Sequence, residues 1–238
     1  MSVLRVEEVY KSFPLPDGRL LKVLDGVSFD VEKDSLTCIV GPNGCGKTTL
    51  LRIISGLMKP DRGTIKVGGG KVFMIFQEGS LFPWLTLYEN IRIVSSSRDE
   101  ALSLLREYGL LKYSDLYPSR LSGGMKQIAE LVRAIALKPG ILLMDEPFAS
   151  LDAQNRILMQ EKMLEILSKT NLTVLFVTHN VEEAVFLADR IVVLSSKPSK
   201  VKLVLDIEYG KPRDRMDSRF MDVRRKIEST LRRSGEYE

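Results

Sequence analysis

The sequence predicts an α/β protein: a doubly wound core, a β-rich N-terminal layer and an inserted helical piece. Three observations carry this. The N-terminal segments alternate apolar and polar residues with period two, the pattern of half-buried strands in an antiparallel layer. Ile141 to Met144 and Val174 to Val177 are four-residue apolar runs, as in parallel strands covered on both faces. Helical spacing falls between them, and strand alternating with helix argues right-handed crossovers. The 238 residues are 44% hydrophobic and 28% charged, enough apolar side chain for a buried core and too much for disorder. The longest apolar runs fall far short of the roughly 20 residues that span a bilayer. Met1 to Tyr10 alternates apolar and charged residues where a secretory leader would have a basic, then an apolar, stretch. The chain is therefore expected to stay where it is made. Two cysteines, Cys38 and Cys45, make no disulfide framework and fit a reducing cytoplasm.

Taken in order, Val3 to Val9 and the alternating Val27, Phe29 and Val31 form the β layer. Ser35 to Val40 is a buried strand that runs into Gly41-Pro42-Asn43-Gly44, and Thr48 to Leu57 then has helical spacing at Leu50, Leu51 and Ile54. Thr64 to Val67 and Val72 to Phe76 read as two short strands joined by a tight reversal at Gly68-Gly69-Gly70. Arg98 to Tyr108 is helical, with Ala101, Leu102, Leu104 and Leu105 on its apolar side. Another helix begins at Ser122, planted on the core by Ile128, Val132, Ile135 and Ala136. Arg156 to Leu167 reads as an amphipathic helix. Phe220, Val223, Ile227 and Leu231 form the stripe of a last helix, expected to dock. The resulting division is a core of residues 1–77 and 121–210, a helical insert of 78–120, and a basic tail of 211–238.

Net charge is +4, and it is concentrated at the end: Lys211 to Arg233 holds nine Lys or Arg against four Asp or Glu. Such a run either touches nucleic acid or anionic lipid or is a solvated helix face. No function rests on it.

Gly41-Pro42-Asn43-Gly44-Cys45-Gly46-Lys47-Thr48 fits G-x-x-x-x-G-K-[ST] between a buried strand and a helix, the context this phosphate-binding motif requires. Its glycines let backbone N–H groups turn toward phosphate oxygens; Lys47 adds a cation at the β and γ phosphates, and Thr48 offers a hydroxyl to Mg²⁺. A glycine turn alone would not call for Lys47 and Thr48, so a nucleoside triphosphate site is predicted, on a P-loop NTPase core. Cys45 is either a small filler or, at a helix N-terminus, an oxidisable thiol. Ile141 to Met144 ends in Asp145 and Glu146, acid at the carboxyl edge of the sheet where ligands sit in such folds. Asp145 can hold Mg²⁺ through water, and Glu146 can act as general base on an attacking water. In Leu121-Ser122-Gly123-Gly124-Met125, Ser122 is an N-cap candidate and two glycines leave the following amides uncovered, a second anion seat. A second seat makes sense if it serves the nucleotide of another subunit.

With those residues the chain resembles the ATP-binding subunits of ABC transporters over nearly its whole length. Leu121-Ser122-Gly123-Gly124-Met125 is that family's signature. Gln77 stands as the Q-loop glutamine, Ser150-Leu151-Asp152 as the D-loop, His179 as the switch histidine, and Phe13 as the aromatic that stacks on adenine. Phe76-Gln77-Glu78, Leu81-Phe82-Pro83-Trp84-Leu85-Thr86 and the run from Val177 to Arg190 are most similar to importers of nitrate, sulfonates, taurine or thiamine precursors. The chain departs from the family at Ile128, where Arg is common, in a shortened segment between Asn90 and Ser122, and at Gly68 to Gly70, which replaces a longer hairpin. None removes a group needed for hydrolysis.

The resemblance implies a Mg-dependent ATPase. ATP would be held by Phe13, Gly41 to Thr49, Ser122, Gly123, Gly124 and Asp152; Mg²⁺ by Thr48, Gln77 and Asp145; and catalysis served by Glu146, His179 and Gln77. The lone His179 is either structural or a sensor of the γ-phosphate, and the resemblance favours the sensor. Trp84 is either core of the helical piece or, by the resemblance, beside a groove for a permease helix. Implied partners are a second ATPase subunit, expected to be identical, integral permease subunits at the cytoplasmic face of the membrane, and indirectly an extracytoplasmic solute-binding protein. No nucleic acid is expected. Two other readings are a soluble ABC ATPase acting on ribosomes or DNA, and a sensor module that scarcely hydrolyses ATP. The chain's lack of tandem domains or a long coiled coil opposes the first; Glu146 and His179 oppose the second.

Overall fold

The protein is described by a computed structural model covering residues 2–77 and 79–232. Glu78 of the importer-like run, Arg233 of the basic run and the end of the tail lie outside the described residues. The chain opens with β1 (Ser2–Pro14), β2 (Leu20–Glu32), β3 (Leu36–Val40), α1 (Lys47–Ile54) and β4 (Arg62–Val67). It continues through β5 (Val72–Ile75), α2 (Leu87–Arg92), α3 (Arg98–Glu107), two 3₁₀ turns, α4 (Gly123–Ala136), β6 (Ile141–Asp145) and α5 (Ala153–Ser168). It ends with β7 (Val174–Thr178), α6 (Val181–Leu187), β8 (Arg190–Leu194), β9 (Val201–Asp206) and α7 (Ser218–Arg232). Two compact units result: Met1–Gly70 with Leu172–Glu238, and Lys71–Asn171.

In the first unit β1 lies between β2 and β4 in an antiparallel layer. Its inward residues Leu4, Val6 and Val9 are buried, and so are Val27, Phe29 and Val31 of β2, the alternation expected of a layer with one covered face. β3 has every residue buried and is parallel to β7 on one side and β8 on the other, while β9 adds antiparallel to β8. That accounts for the unbroken apolar runs of β3, β7 and β8, whose two faces both meet protein. α7 docks as its stripe predicts, with Phe220, Ile227 and Leu231 buried. The tail is also held by Arg213, which is 4% exposed and donates from Nη1 to the carbonyls of Val185 (2.9 Å), Phe186 (3.2 Å) and Ala188 (2.7 Å) at the end of α6. Burial pushes the Arg213 pKa down from its ordinary value. Arg215 pairs with Glu182 at 3.1 Å, and its guanidinium lies 3.8 Å from the Phe186 ring centroid.

In the second unit β5 and β6 pair in parallel. α2 begins with a reciprocal cap, Thr86 accepting from the Glu89 amide and Glu89 accepting from the Thr86 amide at 2.7 Å. Ser97 caps α3.

Three expectations are corrected. Gly68 to Gly70 do not close a hairpin: the ladder of β4 is taken by antiparallel pairing with β1 and that of β5 by parallel pairing with β6, so the two strands share none. α5 is not amphipathic in the expected sense. Gln160, Met163 and Ile166 are its buried residues, while Ile157 and Leu158 are exposed. α4 is buried around much of its circumference, at Ala129 to Ala134 and Ala136, with Ile128 and Ile135 only half-buried. Its buried set includes the charged Glu130 and Arg133, which no apolar stripe announces.

Candidate nucleotide site

In the first unit, β3 delivers the chain at Val40 into the glycine loop, and β7, its parallel neighbour, delivers Thr178 beside it, since Val40 and Thr178 are partners in register. The loop Gly41 to Gly46 and His179 thus leave the same sheet edge from adjacent strands, where α/β folds bind ligands. Lys47 is buried, and its Nζ donates to the carbonyls of Gly41 (2.9 Å) and Pro42 (3.0 Å), which fixes the ammonium inside the curve of the loop. Gly46 has φ +112°, and a Cβ there would stand 2.7 Å from Val23 Cγ1, so the turn into α1 requires glycine. Ser199 Oγ donates to the Cys45 carbonyl in a short hydrogen bond that holds the loop from outside. Cys45 itself is buried, as a filler would be. Thr48 and Thr49 follow in the first turn of α1, both half-buried.

His179 is exposed at the end of β7. Just beyond it, Asn180 caps α6 by accepting from the amides of Glu182 (2.9 Å) and Glu183 (3.3 Å). Thr178 Oγ1 donates to Glu183 at 2.6 Å and accepts from the Asn180 amide at 3.0 Å, so the backbone carrying the imidazole is fixed on both sides. Phe13 lies near the end of β1, half-buried, with Lys11 Nζ 5.7 Å from its ring centroid.

In the second unit the same logic repeats. Ile75 of β5 and Met144 of β6 are partners, so Gln77 and the pair Asp145 and Glu146 leave one edge from adjacent strands. Asp145 is buried at the strand end and Glu146 is half-buried. Glu146 has φ +45°, a left-handed backbone that costs a non-glycine residue energy and recurs at functional sites. Ser122 caps α4, its Oγ accepting from the Met125 amide at 3.3 Å. A Cβ at Gly124 would stand 2.9 Å from Met159 Sδ, so a larger residue there would have to displace the Met159 side chain of α5. Asp152 caps α5, accepting from the Asn155 amide at 2.9 Å, and that bond holds its carboxyl below the ordinary carboxylate value. Trp84 is 69% exposed, which removes the reading of it as core.

The loop geometry fits a triphosphate. Glycines at positive φ in positions 44 and 46, and a cation held inside the curve, make the anion cradle that backbone amides form before a helix. Among the described residues no group of three or more His, Cys, Asp or Glu is placed to hold a metal. A hydroxyl such as that of Thr48 and a carboxylate such as that of Asp145 are each hard oxygen donors of the kind Mg²⁺ takes alongside phosphate and water.

The sequence reading passed over Ser199, Arg213 and the buried pair Glu130 and Arg133. Nothing in the sequence sets the last two apart from surface charges, since α4 carries Lys126 and Gln127 as well.

Comparison with known proteins agrees with this geometry. Residues 24–149 match the family described as ABC transporter. The aliphatic sulfonates import ATP-binding protein SsuB of Bacillus cereus is 38% identical, over 93% of this chain and 93% of its own length. An uncharacterized ABC transporter ATP-binding protein of Methanocaldococcus jannaschii is 39% identical, over 96% and 91%. The bicarbonate transport ATP-binding protein CmpC of Synechococcus elongatus is 39% identical over 89% of this chain, which spans 35% of that longer protein. A solved dimer of an ATP-binding cassette in a post-hydrolysis state with ADP and Pi is 26% identical, with TM-score 0.72 over 87% of this chain and all of that one. A family match across more than half the chain, and close relatives across nearly all of it, make this chain a member of the ABC transporter ATP-binding family, an ATPase that uses ATP and Mg²⁺.

Proposed function

We propose that this chain powers the import of a small anion or organic solute, such as nitrate, a sulfonate, taurine or a thiamine precursor, by pairing head to tail with a second copy around ATP. The observation that carries the reading is the presence of two glycine-built helix starts in one chain, the loop before α1 and the capped start of α4. One chain needs a single phosphate cradle for its own nucleotide; the second serves its partner's.

Each residue then has a task. Lys47 and the backbone N–H groups between Gly41 and Thr49, Pro42 having none, bind the triphosphate, Phe13 stacks on the base, and Thr48, Gln77 and Asp145 would hold the ion. Ser122, Gly123 and Gly124 of one copy meet the γ-phosphate held by the other, next to Asp152. Mg²⁺, when bound, neutralises charge on the β and γ phosphates. The Glu146 carboxylate takes the proton of the attacking water, a contribution typically worth about 10²–10⁴-fold. His179 donates a hydrogen bond toward the γ-phosphate, and closing of the pair excludes water. Gln77, leading into the loop that bears Phe82 and Trp84, passes the closure to permease subunits. The chain therefore works as a peripheral subunit at the cytoplasmic face of the cell membrane, with a solute-binding protein supplying cargo on the other side.

The relatives support an importer of small anions, since SsuB is named for sulfonates and CmpC for bicarbonate. Among the described residues no helix is long and apolar enough to cross a membrane. The basic tail does not favour a nucleic-acid target: Arg215 pairs with Glu182, Arg219 with Asp217 and Arg224 with Glu228.

The test is a pull-down from detergent-solubilised native membranes with tagged Glu146→Gln chain and Mg-ATP. A co-purifying polytopic membrane protein is expected. Ribosomal or DNA-processing proteins in its place would overturn the transport reading and leave the ATP site standing.

A further inference from the structure

Helix α4 carries Glu130 and Arg133 at 6% and 5% exposure, and buried charge is costly unless it is matched by hydrogen bonds. Both are spent on one short loop. Glu130 Oε1 accepts from the Ser80 amide at 2.5 Å, and the Leu81 amide also bonds its carboxylate. Arg133 Nη2 donates to Ser80 Oγ at 2.7 Å, and its guanidinium lies 5.3 Å from the Phe82 ring centroid. Asn90, fully buried, accepts from the Phe82 amide at 2.8 Å and donates to the carbonyls of Phe82, Leu85 and Thr86 at 3.0–3.1 Å. The loop comes so close that a Cβ at Gly79, φ +83°, would stand 2.9 Å from Glu130 Oε1.

Residues 79–86 are thus held along their length by side chains of α4 and α2, while their tip is exposed. Trp84 is the chain's one tryptophan, and its ring centroid lies 5.4 Å from that of the exposed Phe82. Burial pushes the Glu130 carboxyl above its ordinary value, and the Ser80 amide, Arg133, the Leu81 amide and Lys126 oppose that shift. An alanine would fold the helix without this cost. What the carboxylate adds is a fixed link from α4 to the loop.

We propose that Glu130 is a positioning residue that locks the 79–86 loop to α4, so that uptake of nucleotide at Ser122 to Gly124 moves helix and loop together. The inference rests on the reading that the α4 start receives the partner's nucleotide. Both ends of the link lie in one compact unit, with the Ser80 and Leu81 amides on the loop side and the buried Glu130 side chain on the helix side. Glutamine keeps an acceptor oxygen at the same reach, whereas alanine leaves the Ser80 and Leu81 amides without it.

The test uses Trp84 as its own reporter in the full chain. In a Glu146→Gln background, pairing on Mg-ATP addition is followed by size-exclusion chromatography, and Trp84 is followed by emission and acrylamide quenching. ATP is expected to change Trp84 quenching in the parent chain. The change is expected to be lost in Glu130→Ala, with ATP binding retained, and kept in Glu130→Gln. Gly79→Ala, whose Cβ presses on the same oxygen, is expected to lose it too and carries the test if Glu130→Ala does not fold. A Glu130→Ala chain with the parent's response overturns the proposal. A parent that pairs on ATP while Trp84 stays silent refutes this proposal alone; a parent that binds ATP without pairing refutes the seat at Ser122 and this inference with it.

Discussion

Replacing Arg213 by methionine removes the donor shared by three carbonyls, those of Val185, Phe186 and Ala188, at the end of α6. Hydrogen bonds to a charged group are worth about 1.5–3 kcal/mol, and a buried acceptor left unmatched costs about 1–3 kcal/mol. The three bonds come from one nitrogen and do not add fully, and methionine refills the volume while removing a desolvated charge, so the net loss is about 3 kcal/mol. For a chain of this size each kcal/mol lowers Tm by about 2–4 °C, giving a fall of about 6–12 °C. Thermal unfolding followed by near-UV circular dichroism measures it, with Arg213→Lys alongside. Lysine keeps the charge without the guanidinium fork and is expected to fall between methionine and the parent. A Tm for Arg213→Met within about 2 °C of the parent, less than 1 kcal/mol on the same scale, would show that the end of α6 does not depend on this residue.

Glu146→Gln is expected to lower phosphate release by about 10²–10⁴-fold with ATP affinity unchanged, measured by turnover and by nucleotide titration; full turnover would exclude Glu146 as the base. Ser122→Arg is expected to abolish ATP-driven pairing in size-exclusion chromatography, and a surviving dimer would sink the shared-site reading. Deleting the tail after Lys211 should lower Tm before it lowers turnover, and an inactive chain with unchanged Tm would contradict that order. Glu100 is held down to about 2 by the Ser96 hydroxyl, then by Lys138 and the Ser96 amide, from an ordinary 4.5. Its contribution to stability is therefore complete above about 4.5 and lost as pH falls through about 2. Glu100→Gln should flatten the stability curve in that window and nowhere above it, and identical curves for the two chains would refute the assignment.

Much of the site was legible because its chemistry is local. Gly41 to Thr48 is contiguous, and the strand before it and the helix after it are declared by a buried run and a helical period. The acid pair at the end of β6 and Ser122 at the start of α4 are likewise short-range features. Strand pairing was not local, so the hairpin expected at Gly68 to Gly70 was misread: partner choice for β4 and β5 is made by β1 and β6, far off in sequence. The roles of Glu130, Arg133 and Arg213 were hidden for another reason. A buried charge looks like a surface charge until the groups that match it are known, and for Glu130 and Arg213 those groups are backbone amides and carbonyls that every sequence has.

β3 must be joined by β7 and β8 before its apolar residues are covered, yet β7 begins only at Val174. At roughly 5–20 residues per second of synthesis, the gap of about 130 residues lasts roughly 7–26 s. Throughout that interval Leu36 to Val40 is an unpaired apolar strand on the ribosome-bound chain, a template for wrong pairing. Chaperone dependence of this chain should therefore track translation speed between Val40 and Val174. A ribosome that stalls inside that window holds a fragment whose β3 has neither of its sheet neighbours.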